Sequence, residues 1–469
     1  MTLSILLRRR LKLLVAVAVA VLAAGAGVAV GVLREAPQDA RYNGAYRLDD
    51  GQLVFIHPRQ GPILRYRMLS GESRSLFPAG KRSYESGPGF KDRSPVDLRL
   101  TFDVGGEGAP GGFTWTRGGG SPARATRLAL PETRFRFESG GIALRGLLVE
   151  PAGAGPHPAV VIVQGSEENG AVDGYDEPYL FASMGIAAVV FDKRGTGGSR
   201  GRYTQNFHTL ARDVGAAVAW LRSRPEIDGE RIHLSGYSQG GWVAPLAAAT
   251  AGGGRIRSLL INYGPAVPVI AEDRWGYVHS LREHGFGEDA IRDVDRINDT
   301  VARILDHRED RYPQLGEQLA AARAAPWFGA LEKSDSALGF ILASGMPLWT
   351  VRLYSWWKME AFRDEPFIDR LYDPVPTLAS LPNTPSLWIF GGRDRSMPTE
   401  WSLEKLERLR RQGIPIETKV FADADHGILR IEPGPGGERR IAGYEPGYLM
   451  AQVNWIRRQS GLAPLPGGP

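Results

Sequence analysis

The chain contains no cysteine. Disulfides, thiolate zinc sites and a cysteine nucleophile are therefore excluded. Histidine is scarce, eight in 469 residues, so few side chains compete for the role of an imidazole base. Excess charge is lacking over most of the length. Lys and Arg total 57 against 52 Asp and Glu. Five of the cations, Arg8, Arg9, Arg10, Lys12 and Arg34, fall in residues 1–34, which hold no acid, and the rest carries 52 of each sign. A neutral body without a basic stripe argues against a nucleic-acid partner despite the high isoelectric point. No clustered His/Asp/Glu spacing suggests a metal site, and no cofactor is expected.

What is present begins with an apolar run. Arg8-Arg9-Arg10-Leu11-Lys12 precedes Leu13 to Leu33, 21 residues without a charge. That length spans a bilayer as a helix, and the basic flank predicts a cytoplasmic N-terminal end. A cleaved signal peptide is the alternative, with Ala23-Ala24-Gly25-Ala26 as cleavage context. Both readings put the bulk of the chain in the cell envelope, outside the cytoplasm, either membrane-anchored or secreted or periplasmic.

Residues 35–45 read as a linker. Residues 46–130 read as a β-rich accessory module, with short runs at Leu53–Ile56, Leu64–Met68, Val96–Phe102 and Phe113–Thr116 punctuated by glycine turns. Gly118 to Pro131 reads as a connector. From 131 the pattern changes. Apolar strands at Ala159–Val163, Ile186–Phe191 and Ile256–Ile261 alternate with helical stretches, which predicts a parallel sheet covered on both faces. Alternation stops over 266–380, a helical, tryptophan-rich segment expected to form a cap, and resumes over 381–469. The core is thus expected in two parts, 131–265 and 381–469.

One pentapeptide, Gly236-Tyr237-Ser238-Gln239-Gly240, lies between an apolar strand and a helix-like stretch. That context makes Gly-x-Ser-x-Gly a nucleophile elbow, with glycines where the tight turn leaves no room for Cβ atoms. A serine needs a base and a carboxylate to orient that base. Asp394 follows an apolar strand and His426 follows the next strand, and strand C-terminal ends converge on one edge of a parallel sheet. Asp423 and Asp425 are rivals for the acid, and His208 for the base. An oxyanion needs backbone donors; the Gln239 amide and the Ser166 amide, in Gln164-Gly165-Ser166, are the candidates.

Taken together, Val163-Gln164-Gly165-Ser166, Phe191-Asp192-Lys193-Arg194-Gly195-Thr196-Gly197-Gly198-Ser199, the elbow, Gly392-Arg393-Asp394 and Asp425-His426-Gly427 resemble the α/β-hydrolase superfamily of serine hydrolases. The likeness covers about residues 133–460, in the branch of bacterial esterases, thioesterase-like and prolyl-oligopeptidase-like proteins. Gln164 stands where many relatives have His. The resemblance implies an α/β-hydrolase fold, mostly parallel with helices on both faces; with the readings above, that fold carries the inserted helical cap and is preceded by the β-rich module and a transmembrane segment. It also implies that Asp192 and Arg194 brace loops.

The expected activity is hydrolysis of a carboxylic ester on a small acyl substrate through an acyl-enzyme. Trp349, Trp356 and Trp357 of the cap are candidate substrate contacts. A short-peptide peptidase and an acyl thioesterase use the same triad and stay open. So does, from another class, an anchored binding protein with an inactive hydrolase fold.

Overall fold

The computed structural model describes residues 40–465 apart from 60–61, 104–107, 251–254, 308, 335, 344–346, 348, 351, 353–366 and 435. The apolar N-terminal run, residues 13–33, lies outside the described residues. Among the described residues no helix is long and apolar enough to cross a membrane.

The N-terminal module is an eight-stranded closed barrel. Its strands are β1 (Gly44–Leu48), β2 (Leu53–Pro58), β3 (Leu64–Met68), β4 (Ser73–Pro78), β5 (Ser83–Ser86), β6 (Leu98–Phe102), β7 (Gly112–Arg117) and β8 (Ala123–Arg127). Each pairs antiparallel with the next, and β8 pairs with β1 to close the ring, Arg47 opposite Thr126. Two sequence readings change here. The stretch taken for a connector contains β8, and the 35–45 linker contains the start of β1 and Tyr42, which is buried in the barrel core. Closure has a plain cause, because a barrel leaves no strand edge unpaired. Polar residues facing outward on β8 (Arg124, Thr126) conceal its strand character, while Ala125 points in.

Strand β2 is buried along its whole length. Successive side chains point to opposite faces. Val54 and Ile56 fill the barrel, whereas Leu53 and Phe55 pack into the core of the catalytic domain. The barrel is thus docked through one wall. A buried ion cluster crosses the same seam, Arg67 to Asp176 at 2.9 Å and to Glu177 at 3.1 Å.

The second sheet runs β16-β15-β14-β13-β11-β12-β10-β9. Its strands are β9 (Glu132–Ser139), β10 (Ile142–Val149), β11 (His157–Val163), β12 (Ala187–Phe191), β13 (Ile227–Tyr237), β14 (Leu259–Asn262), β15 (Ser386–Gly391) and β16 (Ile416–Phe421). Only β10 runs against its neighbours. Two apolar cores lie on its two faces, as strands buried on both sides require. Between β14 and β15 the chain forms helices including Val269–Glu283, Glu288–His307 and Tyr312–Arg323, with a core of their own. After β16 comes a small sheet, β17 (Ala424–Asp425), β18 (Leu429–Pro433) and β19 (Arg439–Tyr444). The sequence reading did not anticipate it, since these strands are largely polar and interrupted by Pro433-Gly434-Pro435-Gly436-Gly437.

Two histidines are buried as neutral rings. His233 makes hydrogen bonds to Ser258 Oγ at 2.8 Å and Ser460 Oγ at 2.9 Å. His57 donates Nδ1–H to Pro58 O at 3.1 Å. Burial, helped by nearby arginines, lowers each to about 3, so the 4.0 Å approach of His57 to Asp176 is not an ion pair at neutral pH. The unfolded chain binds a proton at each ring below about 6.5 and the folded chain does not until about 3. Stability is therefore complete above the unfolded value and is lost as pH falls from 6.5 towards 3. The expected slope where both rings contribute is about 2.7 kcal/mol per pH unit. Urea unfolding at pH 4.5 and 6 checks this, and His233→Gln should remove about half of the slope.

Candidate active site

The turn after β13 shows why the pentapeptide needs its glycines. A Cβ on Gly236 would lie 2.4 Å from Gly240 O, and one on Gly240 would lie 2.5 Å from Val163 O. Ser238 has φ +50, a left-handed conformation that costs of order 1–3 kcal/mol and persists where its surroundings over-determine it. Its amide donates to Asn262 O at 3.0 Å and its carbonyl accepts from Gly241 N at 2.7 Å. The hydroxyl is thereby held at the sheet's C-terminal edge, at the start of the helix Gly240–Thr250.

His426 Nε2 lies 3.2 Å from Ser238 Oγ, and its Nδ1 lies 2.9 Å from Asp394 Oδ2. Asp394 is 4% exposed. Its other oxygen accepts the Ser396 and Met397 amides, each at 2.9 Å. Ser238 and Asp394 follow β13 and β15, and His426 follows β17, the short strand after β16, so the three are far apart in sequence. The rival acids are engaged elsewhere: Asp423 pairs with Arg393 at the surface, and Asp425 accepts from Arg439 and the Arg395 amide. His208 is exposed on the helix Phe207–Arg222, against Tyr372. The Tyr263 ring, at φ +40, backs His426 edge-to-face at 4.9 Å.

Ser166 lines the same pocket as Ser238 and His426. Among the described residues the Ser166 and Gln239 amides have no hydrogen-bond acceptor. The Ser166 loop is pinned from two sides. Lys193 Nζ donates to Gly165 O at 2.7 Å, and Tyr203 Oη donates to Ser166 O at 2.6 Å. Gln164 Nε2 donates to Phe191 O, tying the end of β11 to that of β12. Asp192 accepts the Val172 and Gly198 amides, and Arg194 pairs with Asp213.

Lys193 was missed in the sequence, where it reads as one of two adjacent cations in a glycine-rich turn. Burial lowers it to about 8, against the opposing pull of Glu167 and Glu168, so it remains mostly charged at neutral pH. Lys193→Met should lower kcat about 10–100-fold with KM little changed, because a loop displaced by about 1 Å no longer presents its amide correctly. Steady-state kinetics on a folded variant checks this, and a change confined to KM would assign Lys193 to binding instead.

The pocket beside Ser238 has a volume of about 300 Å³ and is walled by Ser166, Glu272, Asp273, Ser336, Ala337 and Ser396. It is polar, not aromatic. Trp349 is 56% exposed and not part of this wall, while Trp356 and Trp357 lie outside the described residues. Among the described residues the wall is made of hydroxyls and carboxylates with one alanine. Glu272 and Asp273 were missed because they sit near the start of an ordinary helix, and only the cap's docking turns them over the nucleophile. Asp273 also pairs with Arg370 at 2.6 Å.

Among the described residues no group of His, Asp and Glu is arranged to hold a metal ion. Residues 140–263 match the family model for X-Pro dipeptidyl-peptidase (S15 family). The chain is 30% identical over 134 residues to an uncharacterized peptidase, YtmA, of Bacillus subtilis (strain 168), across 28% of this chain and 50% of that protein. It is 26% identical over 331 residues to the thiohydrolase aneE of Aspergillus aculeatus, across 68% of this chain and 90% of that protein. The match to the Bacillus peptidase therefore spans only half of that relative's length. Among solved structures, the α/β hydrolase GrgF from Penicillium sp. sh18 aligns over 71% of this chain and 100% of its own, at 19% identity and TM-score 0.43. Its sheet order, one reversed strand and serine elbow give the chain the α/β-hydrolase fold, and residues 140–263 within that fold match a hydrolase family model.

Proposed function

We propose that the chain hydrolyses a carboxylic ester through a covalent acyl-enzyme. The observation that carries the reading is the hydrogen-bonded line from Ser238 through His426 to Asp394. In this mechanism Ser238 Oγ attacks the carbonyl carbon while His426 Nε2 takes its proton. The carbonyl electron pair becomes an oxyanion, held by the Ser166 and Gln239 amides. Collapse breaks the carbon–oxygen bond, and His426 returns the proton to the leaving alcohol. Water then repeats the sequence on the acyl-enzyme and frees Ser238. Asp394 keeps the Nδ1 proton in place throughout.

The small pocket, about 300 Å³, is at the lower end of small-molecule sites and suits a short acyl group. A peptidase is the second reading. The match to a dipeptidyl-peptidase family model favours it, as do the Glu272 and Asp273 carboxylates beside Ser238, which suit a substrate cation such as a peptide amino terminus. Activity across p-nitrophenyl esters, acyl thioesters and aminoacyl p-nitroanilides separates these. Ester hydrolysis is expected to dominate for acetyl and butyryl groups. A higher kcat/KM on aminoacyl anilides would overturn the ester reading, and failure of a fluorophosphonate probe to label Ser238 would overturn the serine mechanism.

The proposal includes a place in the cell envelope with the catalytic domain outside the cytoplasm, on the strength of the basic flank and apolar run at residues 8–33. N-terminal sequencing of membrane and soluble fractions tests the anchor. A mature start near residues 27–40 would replace the anchor by a cleaved signal.

A further inference from the structure

A cavity larger than the one beside Ser238 lies between the barrel and the catalytic domain, with a volume of about 650 Å³ against about 300 Å³. Barrel residues Arg59, Arg65 and Lys91 form one side, and Tyr175, Tyr263 and Tyr444 lie on the other. Arg65 is the unusual member. It is 2% exposed. Its guanidinium stacks on Phe90, 3.6 Å from the ring centroid, and Nη2 donates to Ser75 Oγ at 3.0 Å. Stacking covers the face of the group but engages none of its edge donors. Nε and Nη1 are buried and have no acceptor among the described residues.

Leaving donors of a buried cation unmatched is costly. Burial lowers Arg65 to about 10, which still leaves it charged at neutral pH. Carboxylates do line the cavity, but each has another partner. Asp176 and Glu177 pair with Arg67, and Glu167 accepts from Tyr175. The tyrosine phenols are donors too: burial raises Tyr175 and Tyr263 well above the usual range, so both stay protonated. Unpaired guanidinium edges, further cations and neutral aromatic walls in one chamber suit an anionic head on an apolar body.

We propose that this chamber is a second ligand site, which binds a small organic anion, a carboxylate or phosphate on an aromatic or aliphatic body, by its charge on Arg65. The site is separate from the pocket beside Ser238, but not isolated from it. Tyr263 forms part of its wall and also backs His426 at 4.9 Å. The binding claim does not depend on which bond Ser238 attacks.

The test is titration calorimetry on the full chain with benzoate, phenyl phosphate and inorganic phosphate. Benzoate or phenyl phosphate is expected to bind with Kd of about 1 mM or tighter, and inorganic phosphate, lacking the body, more weakly. The two organic probes tell a carboxylate preference from a phosphate preference. Arg65→Met should weaken the better probe at least about tenfold, the loss of a charge-assisted bond. If Arg65→Met fails to fold, Ile63→Trp decides instead: it fills the chamber from a half-buried position, leaves Arg65 intact and should also abolish binding. No heat from either organic probe at about 20 mM, or equal binding by wild type and a folded variant, would overturn the proposal.

Discussion

Replacing Ser238 by alanine is expected to lower kcat on the best ester by about 10⁴–10⁶-fold, leaving KM nearly unchanged. The size follows from what is removed. Without Oγ no acyl-enzyme forms, and His426 has nothing to deprotonate but water held without a defined position. The residual rate comes from substrate binding and the two amide donors, which alanine leaves in place. The substitution also tests the elbow's strain. Alanine at φ +50 keeps the backbone cost that serine already bears, so the fold should not change. Single-turnover kinetics with an active-site titrant checks both points. Loss of less than tenfold would show that another group performs the attack.

The second large effect is expected at Asp394, and the structure specifies its direction. Asp394 Oδ1 already accepts two backbone amides, from Ser396 and Met397. In Asp394→Asn those amides hold the side-chain carbonyl, so the NH₂ group is turned towards His426 Nδ1. Two donors cannot face each other. His426 must then carry its proton on Nε2, where it cannot accept one from Ser238. A drop in kcat of about 10⁴-fold is expected, with the ring position and fold preserved. Raising the pH should restore part of the rate, since hydroxide or an ionised serine reduces the need for the base. A variant that retains more than a tenth of the activity would remove Asp394 from the orienting role.

Much of the catalytic half is legible in the primary structure because its determinants are local. Continuous apolar runs such as Ala159–Val163 and Ile186–Phe191 have no solvent face, and a strand with no solvent face belongs in a covered parallel sheet. The elbow is equally local, since a Cβ at Gly236 or Gly240 meets backbone within a few residues or on the adjacent strand. Ser238 and Asp394 each follow such a strand, and His426 comes soon after the edge strand β16, so their meeting at one edge follows from parallel topology. The part played by the cap's tryptophans is not legible in the sequence, for the opposite reason. A tryptophan count cannot say whether a ring fills the cap core, as Trp327 does, or faces solvent, as Trp349 does.

What residue order alone determined here, then, is the sheet, the elbow and the set of groups able to meet beside it, all consequences of short-range sterics and alternating burial. Tertiary structure decided the rest. Closure of the barrel depends on β8 finding β1, some eighty residues earlier, and no local pattern encodes that partner. Lys193 becomes the pin of the Ser166 loop only because β11 and β12 lie side by side. Glu272 and Asp273 reach the pocket only when the cap docks. Arg65 reads in sequence as one cation in an alternating strand. Its isolation arises because both sides of β3 are covered, one by the barrel interior and the other by the catalytic domain. Charge and hydrogen-bonding capacity are written in the chain, but whether each is matched depends on neighbours that only the folded chain supplies.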